Sequence, residues 1–237
     1  MNQKKLFGTL GVTGAALLLV AIVVSIITFE DGVFSPLSGF YSELGLYPGG
    51  YMTASSALIF NVGMMLFGLI FCTFMVFWGI QQNSWMFGAV SFCGIVTGAL
   101  AVAQSVFTLD FARYHYIAAT AFSAAVFVFG AAYIITSLVT SQNRNISAIL
   151  VAFFSAASSA VYTGFMITGG MMQVFVEDAS LVGRLSFMPF AVIGWLSLLL
   201  IMALLVLLSV DVLMDRQMAR FAGLAEKIRR NARDIEF

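Results

Sequence analysis

Charged side chains are scarce in this chain. Asp, Glu, Lys and Arg make up 9% of its 237 residues, whereas hydrophobic residues make up 61%. Soluble globular domains carry about 25% charged residues, and the mean hydropathy here is +1.01. The sequence therefore excludes a soluble globular domain. It predicts an all-α integral membrane protein, because a helix satisfies its own backbone hydrogen bonds in lipid.

Histidine and cysteine are almost absent, with one His and two Cys in the chain. Bis-histidine haem ligation within one chain is excluded, and a zinc site with several histidines is disfavoured. His115 together with Glu43 or Asp110 would still allow a metal, but we predict neither a metal site nor a cofactor. Both cysteines, Cys72 and Cys93, fall inside apolar segments, which favours buried reduced thiols over a disulfide framework.

Several motifs and charge patterns are also missing. The chain has no P-loop, no dinucleotide fingerprint, no Cys-x-x-Cys pair and no Gly-x-Ser-x-Gly nucleophile elbow. No acid or base lies at the centre of an apolar segment, which disfavours an ion-driven carrier. Because basic residues form no surface beyond the C-terminal tail, we expect no nucleic-acid partner.

What the chain does contain is a series of long apolar segments. Each is long enough to cross a ~30 Å hydrocarbon core as a helix, and there are six of them, at about 6–28, 55–80, 85–108, 116–139, 146–168 and 185–210. We predict one bundle of six transmembrane helices over residues 1–210. No small-residue cleavage site clearly follows the first segment, so we interpret it as a retained span rather than a signal peptide.

The connections and the small residues predict which spans are neighbours. Residues 81–84 and 140–145 are too short for anything but tight hairpins, so spans 2 and 3, and spans 4 and 5, should be antiparallel neighbours. Span 3 carries Gly94 and Gly98, and spans 4 and 5 are rich in Ala and Ser. Small residues let helix backbones approach closely in lipid. We therefore expect spans 3, 4 and 5 to pack tightly.

The distribution of charge predicts the orientation. With both termini in the cytoplasm, nine of the eleven basic residues fall on that side: Lys4, Lys5, Arg144, Arg216, Arg220, Lys227, Arg229, Arg230 and Arg233. Arg113 and Arg184 remain outside, and the positive-inside rule favours this arrangement. The outer side also receives six acids: Glu30, Asp31, Glu43, Asp110, Glu177 and Asp178. We predict a multi-pass protein of the cell membrane with cytoplasmic termini.

The tail, residues 211–237, changes character. Apolar residues recur there at steps of three and four, and basic residues occupy other positions: Met214, Met218, Phe221, Leu224 and Ile228 against Arg216, Arg220, Lys227 and Arg230. This pattern is typical of a basic amphipathic helix. It would either continue span 6 or lie on the inner leaflet, where anionic lipid attracts it or a partner protein binds it.

The longest outer loop, residues 29–54, is rich in aromatic residues and turn signals. The aromatic residues that suit the interface are Phe34, Phe40, Tyr41, Tyr47 and Tyr51. Aromatic side chains favour the membrane interface, so we expect this loop to fold back onto the membrane. A short helix is predicted at about Ser38–Gly45, with Gly45 as its stop.

Polar residues within the spans concentrate in their outer halves. Asn61 lies near the outer end of span 2, Gln104 near that of span 3, and Tyr162 and Thr163 near that of span 5. Intramembrane polar groups need partners, and ionisable ones are functional candidates. We therefore expect one outward-facing cluster beneath the first outer loop. Ordinary hydrogen bonding between helices, worth about 0.6 kcal/mol each, is the alternative explanation for Asn61 and Gln104.

The single histidine lies in the most polar stretch, residues 108–116. Asp110 and His115 are five apart, which would put them on different faces of a continuous helix. They could meet only if the helix breaks between them, whereas Asp110 and Arg113 could pair locally. His115 can titrate near neutral pH and could handle protons. A structural role at the rim of the membrane is the alternative.

Three short features together resemble a known family. They are Tyr-Ser-Glu-Leu-Gly at 41–45, Phe-Asn-Val-Gly at 60–63 and the histidine that opens span 4. These features look like those of a group of bacterial and archaeal six-span proteins, domain of unknown function 998. That group is similar in layout to the Frag/DRAM/Sfk membrane proteins, some of which are associated with lipid-anchor remodelling. The resemblance covers most of the chain and implies that its recurrent polar positions are Ser42, Glu43, Gly45, Asn61 and His115.

The chain departs from that family just before the histidine, where residues 106–109 replace the expected Gly-x-Phe-Pro segment. Because no reaction is assigned to the family, the resemblance implies sites rather than an activity.

The polar residues lead to three functional hypotheses. First, the protein binds a lipid head group or a polar residue of a partner subunit in an outward-facing pocket, lined by Glu43, Asn61, Gln104, Asp110, Arg113 and His115. Here Arg113 would face phosphate or carboxylate. Second, it is a lipid-modifying enzyme, with His115 as general base oriented by Glu43 or Asp110. Third, it is an accessory subunit of a larger membrane complex. We favour the first, with membrane lipids as partners and with a membrane protein or a second copy of the chain also possible.

Overall fold

A computed structural model describes residues 3–29, 34–47, 55–82, 84–140, 145–168 and 187–233. Over these ranges the longer elements are all α-helices: α1 (Gln3–Ile27), α2 (Ser55–Gln81), α3 (Trp85–Val106), α4 (Ala112–Thr140), α5 (Ile146–Ile167) and α6 (Pro189–Arg233). Each of the six contains a stretch long and apolar enough to cross a membrane. The predicted all-α, multi-pass architecture is confirmed at this level.

The helices pack side by side in chain order. Each helix contacts the next one, α1 to α2 and so on to α6, and α6 returns to pack against α1. The predicted pairs α2–α3 and α4–α5 are therefore neighbours. Because the first and last helices are in contact, the bundle is a closed ring of six helices.

Bulky apolar side chains fill the middle of this ring. Phe67, Phe71 and Phe129 are almost fully buried, and the ring of Phe71 meets that of Phe129 edge-on at 5.7 Å between centroids. The opposite faces of the helices expose large apolar side chains such as Val20 and Ile135. In a membrane these faces contact lipid, which explains why no helix shows strong separation of polar and apolar sides.

Close approach between helices occurs where glycines face one another. A Cβ on Gly98 would lie 2.7 Å from the carbonyl oxygen of Gly68, and a Cβ on Gly68 would lie 2.6 Å from that of Gly98. The small residues of α3 therefore serve its contact with α2. Gly130 of α4 similarly approaches the backbone of Ala152 on α5, 2.9 Å from a built Cβ. Small residues thus bring α4 close to α5, as predicted for spans 4 and 5.

The last helix is the longest, with 45 residues from Pro189 to Arg233. Its membrane-spanning part covers Pro189–Met214. The helix then continues without a break, so the tail runs on from span 6 rather than forming a separate helix. The predicted outer-side charges Glu30, Asp31, Glu177, Asp178 and Arg184, and the basic loop residue Arg144, lie outside the described residues.

Candidate functional site

The distal end of the bundle, defined here as the end away from the amino terminus, is closed by residues 34–47, which we call the distal plug. Its short helix is a 3-10 helix, Tyr41–Gly45. This agrees with the predicted short helix and its stop at Gly45. The segment packs into the end of the bundle, since Phe40 and Leu44 are 0% exposed. The plug is therefore part of the hydrophobic core.

Aromatic side chains anchor the plug to the helices around it. Tyr41 meets Trp195 of α6 edge-on, 5.9 Å between ring centroids. Phe40 packs against Tyr162 of α5 at 6.4 Å, and the Trp195 indole N–H donates to the carbonyl oxygen of Gly39 at 2.9 Å. The plug thus contacts the neighbouring helices α5 and α6 and fixes their distal ends relative to one another.

Glu43, a predicted site residue, closes the start of the 3-10 helix. Its Oε1 accepts a hydrogen bond from the backbone N–H of Phe40 at 2.9 Å, the arrangement of a capping box. Burial raises the pKa of the Glu43 carboxyl to about 7, although the Phe40 hydrogen bond lowers it in part. The carboxyl also lies within electrostatic range of the Tyr162 hydroxyl. It is therefore a buried acid that changes charge near neutral pH.

Asn61 holds the other end of the plug. The Nδ2 of Asn61 on α2 donates to the carbonyl oxygen of Gly45 at 3.0 Å, and both residues are buried. A Cβ added to Gly45 would overlap the side chain of Asn61 and approach Phe60 Cδ1 to 3.2 Å. Glycine is needed here because the plug backbone lies directly against α2.

Gln104 connects the plug to α3. Its Nε2 donates to the Tyr41 hydroxyl at 3.0 Å, and burial raises the pKa of Tyr41 to about 12. The other amide atom, Gln104 Oε1, is buried without a hydrogen-bond partner among the described residues. Gln104 is therefore only half satisfied by the protein.

Asp110 and Arg113 do not form the local pair that the sequence allowed. The Asp110 carboxylate accepts from the Thr108 hydroxyl at 2.8 Å and from the Tyr47 backbone N–H at 3.3 Å. It thereby ties the end of the plug to the 3-10 helix Leu109–Phe111, which precedes α4. The Arg113 side chain is exposed, so it lies at the rim and not inside the cluster.

His115 lies in the first turn of α4 and is 5% exposed. Its Nδ1 is 2.6 Å from the carbonyl oxygen of Phe107. A carbonyl oxygen can only accept, so Nδ1 carries the proton and the neutral ring presents Nε2 as an acceptor. Nε2 is buried without a partner among the described residues. Asp110 lies in the 3-10 helix Leu109–Phe111, which runs directly into α4, and the helix is interrupted before it, at residues 107–108. Asp110 and His115 are within electrostatic range of each other.

Three buried polar atoms thus remain unpartnered around the plug: Ser42 Oγ, Gln104 Oε1 and His115 Nε2. We call these residues the distal polar trio. Gln104 binds the Tyr41 hydroxyl beside Ser42, and His115 binds Phe107, one turn beyond Gln104. All three residues therefore lie at the distal end of the bundle, in the plug, near the end of α3 and in the first turn of α4.

The predicted site residues are brought to one end of the bundle, but no hydrogen bond joins any two of the six within the described ranges. Most bind the plug or a backbone atom instead. The group that orients His115 is the Phe107 carbonyl oxygen rather than a carboxylate of Glu43 or Asp110. Tyr41 and Trp195, which organise the plug, were missed, since aromatic residues are common in membrane proteins and carry no distinctive spacing.

Comparisons with known proteins return no match: no family model, no curated protein and no solved structure is similar to this chain. The resemblance to the six-span family therefore stays a prediction. Among the residues that the structure describes, no three His, Cys, Asp or Glu side chains converge on a possible metal position.

Proposed function

We propose that this protein binds the head group of a membrane lipid at the distal end of its bundle, through the distal polar trio. The supporting observation is that three buried polar atoms there lack hydrogen-bond partners among the residues that the structure describes: Ser42 Oγ, Gln104 Oε1 and His115 Nε2. Each unpartnered buried group costs about 1–3 kcal/mol. A bound head group that supplies the missing hydrogen bonds would offset that cost.

The same proposal includes an orientation. Both termini face the cytoplasm, so the distal plug faces the outer side of the cell membrane, in accord with the positive-inside distribution. The helical tail beyond Met214 is basic and amphipathic, and it contacts anionic lipid of the inner leaflet. Binding would then take place in the outer leaflet.

A second candidate function is lipid modification with His115 as general base. One observation favours it: Nδ1 donates to the Phe107 carbonyl, which leaves the Nε2 lone pair free inside a buried site. A general base must reach the proton it removes, and no described serine hydroxyl is hydrogen-bonded to Nε2. Binding therefore ranks first, and an accessory role in a membrane complex remains the third hypothesis.

Replacing one serine tests the binding proposal. Ser42→Ala removes an unpartnered hydroxyl and breaks no described hydrogen bond, so the fold should persist. We expect lipid retained by the purified protein, measured by mass spectrometry, to fall about tenfold if one hydrogen bond of ~1.4 kcal/mol is lost. Ser155→Ala is the matched control, because Ser155 is also buried with an unpartnered hydroxyl but lies near the middle of α5.

Equal lipid retention by the two serine variants would contradict the proposal. Deleting the gene tests the enzyme hypothesis against the binding hypothesis, since altered membrane lipids are expected only if the protein modifies them.

Purification in mild detergent tests the hypothesis that the protein is an accessory subunit of a complex. A stable chain obtained alone argues against an obligate partner.

A further inference from the structure

The chemistry of the distal polar trio selects among head groups. Gln104 uses its Nε2 to donate to Tyr41, so the atom left over, Oε1, is an acceptor. His115 uses its Nδ1–H on the Phe107 carbonyl, so its remaining Nε2 is an acceptor in the neutral ring. Ser42 can donate or accept. Two of the three unpartnered atoms of the trio, Gln104 Oε1 and His115 Nε2, are therefore acceptors that need a donor.

The surrounding charges point the same way. The trio contains no basic residue other than the neutral His115. The Arg113 side chain, two residues before His115, is exposed at the rim. The ionisable group in the plug is an acid, Glu43, and it lies beside the buried Tyr41 and Tyr162. An anion such as a phosphate needs donors or positive charge to replace its water. Two of the three unpartnered atoms here are acceptors, and the nearby ionisable side chain of Glu43 is a carboxyl rather than a cation.

From this we infer that the ligand presents hydrogen-bond donors to the trio, so that it is a lipid whose head group carries N–H or O–H groups. The inference rests on the proposed lipid binding and specifies its chemistry. The donors enter toward Gln104 Oε1 and His115 Nε2. The head-group phosphate stays at the rim, where Arg113 is exposed. Arg113 thus keeps the position expected from the sequence, beside a phosphate, and the trio recognises the donor groups.

Two lipids that differ only in their donors provide the test. Phosphatidylethanolamine carries a primary ammonium, and phosphatidylcholine replaces its three N–H donors with methyl groups at the same net charge. The full-length protein is equilibrated with both, with identical acyl chains, and binding is measured by native mass spectrometry. We expect phosphatidylethanolamine to bind at least about tenfold more tightly, as one or more hydrogen bonds would give. Phosphatidylglycerol, measured separately, distinguishes hydroxyl donors from ammonium donors.

A variant of Gln104 tests whether the trio causes the preference for the donor-bearing lipid. Gln104→Met keeps a side chain of similar length but removes the acceptor, so the preference for the donor-bearing lipid should fall severalfold. Ser155→Ala should preserve it. If Gln104→Met unfolds the protein, Ser42→Ala serves as the second variant, with the same expected direction.

The outcomes separate the inference from the proposed function. Equal binding of phosphatidylcholine and both donor-bearing lipids would overturn the inference while lipid binding stands. Binding of neither would overturn both. A preference for donors that survives both Gln104→Met and Ser42→Ala would place the recognition elsewhere and overturn the assignment to the trio.

Discussion

Glu43 shows how a single residue acquires properties that its sequence position does not reveal. In the sequence it is one of six predicted outer-side acids. In the fold its carboxyl is largely buried and accepts the Phe40 N–H, and burial raises its pKa to about 7 from an ordinary 4.5. The carboxyl thus gains or loses its charge near neutral pH, inside the segment that closes the bundle.

This shift predicts that stability depends on pH. Because the folded-state pKa is raised, the stability contribution is fully present below about pH 4.5 and is lost as pH rises through 7. We expect the free energy of unfolding to fall by on the order of 1–3 kcal/mol between about pH 5 and pH 8, measured as a lower thermal unfolding temperature of the purified protein. The neighbouring Tyr41, whose pKa is about 12, does not titrate in this window.

Glu43→Gln is the matched control for that measurement. The amide keeps an acceptor oxygen for Phe40 but carries no charge, so its stability should vary less over the same range. Comparing the two proteins at each pH removes the contribution of other titrating groups, His115 included. A fall of the same size in both would show that Glu43 is not responsible.

At the residue scale, the sequence identified polar candidates but not their partners. Asn61, Gln104 and His115 stand out because polar side chains are rare in apolar segments. Two of them bind backbone carbonyl oxygens, of Gly45 and Phe107. Every residue carries such an oxygen, so composition and spacing give no signal for which one is used.

Among the elements, the distal plug differs from the spanning helices because the sequence predicted its short helix but not its packing. The sequence predicted a short helix ending at Gly45, and the structure places a 3-10 helix there. Its burial in the bundle was not predictable, because its four aromatic residues suit either an interface or a core. The choice depends on whether the six helices leave room for Phe40 and Leu44, which only their packing determines.

Gly45→Ala tests how closely the plug fits. The added methyl group would overlap the Asn61 side chain, and overpacking of this kind typically costs 1–3 kcal/mol. We expect a lower unfolding temperature and weaker lipid binding. Gly164→Ala is the control, because a Cβ there would meet no atom within 4 Å. Similar stability losses in both variants would indicate a general effect of removing glycine from a helix end.

For the whole molecule, the main feature is closure of the ring by α1 and α6. The two helices meet where Gly11 faces Ser209, whose hydroxyl donates to the Leu205 carbonyl oxygen at 2.7 Å. A second connection, at the other end of the bundle from the plug, joins Asn145 at the start of α5 to Asp211 of α6, at 2.9 Å. Both connections lie at the same end of α6, and Trp195 of α6 contacts the plug at the other end, so α6 makes contacts at both ends of the bundle.

Gly11→Ala should open this closure. A Cβ on Gly11 would overlap the Ser209 hydroxyl and lie 3.2 Å from Ser209 Cβ, so α1 must shift away from α6. We expect a loss of about 1–3 kcal/mol in stability. Adding Ser209→Ala removes the overlapping oxygen and should restore most of it. A double variant no more stable than Gly11→Ala would show that this contact does not limit the approach of the two helices.

By itself, the sequence determined the number of apolar helices and where they lie, because a membrane requires about twenty apolar residues for each span. It also determined that polar candidates gather toward one end. The tertiary structure decided that the first and last helices close a ring, that residues 34–47 fill its distal end, and which polar atoms are left without partners. These outcomes depend on contacts between segments far apart in the chain, and a local pattern of residue types does not specify them.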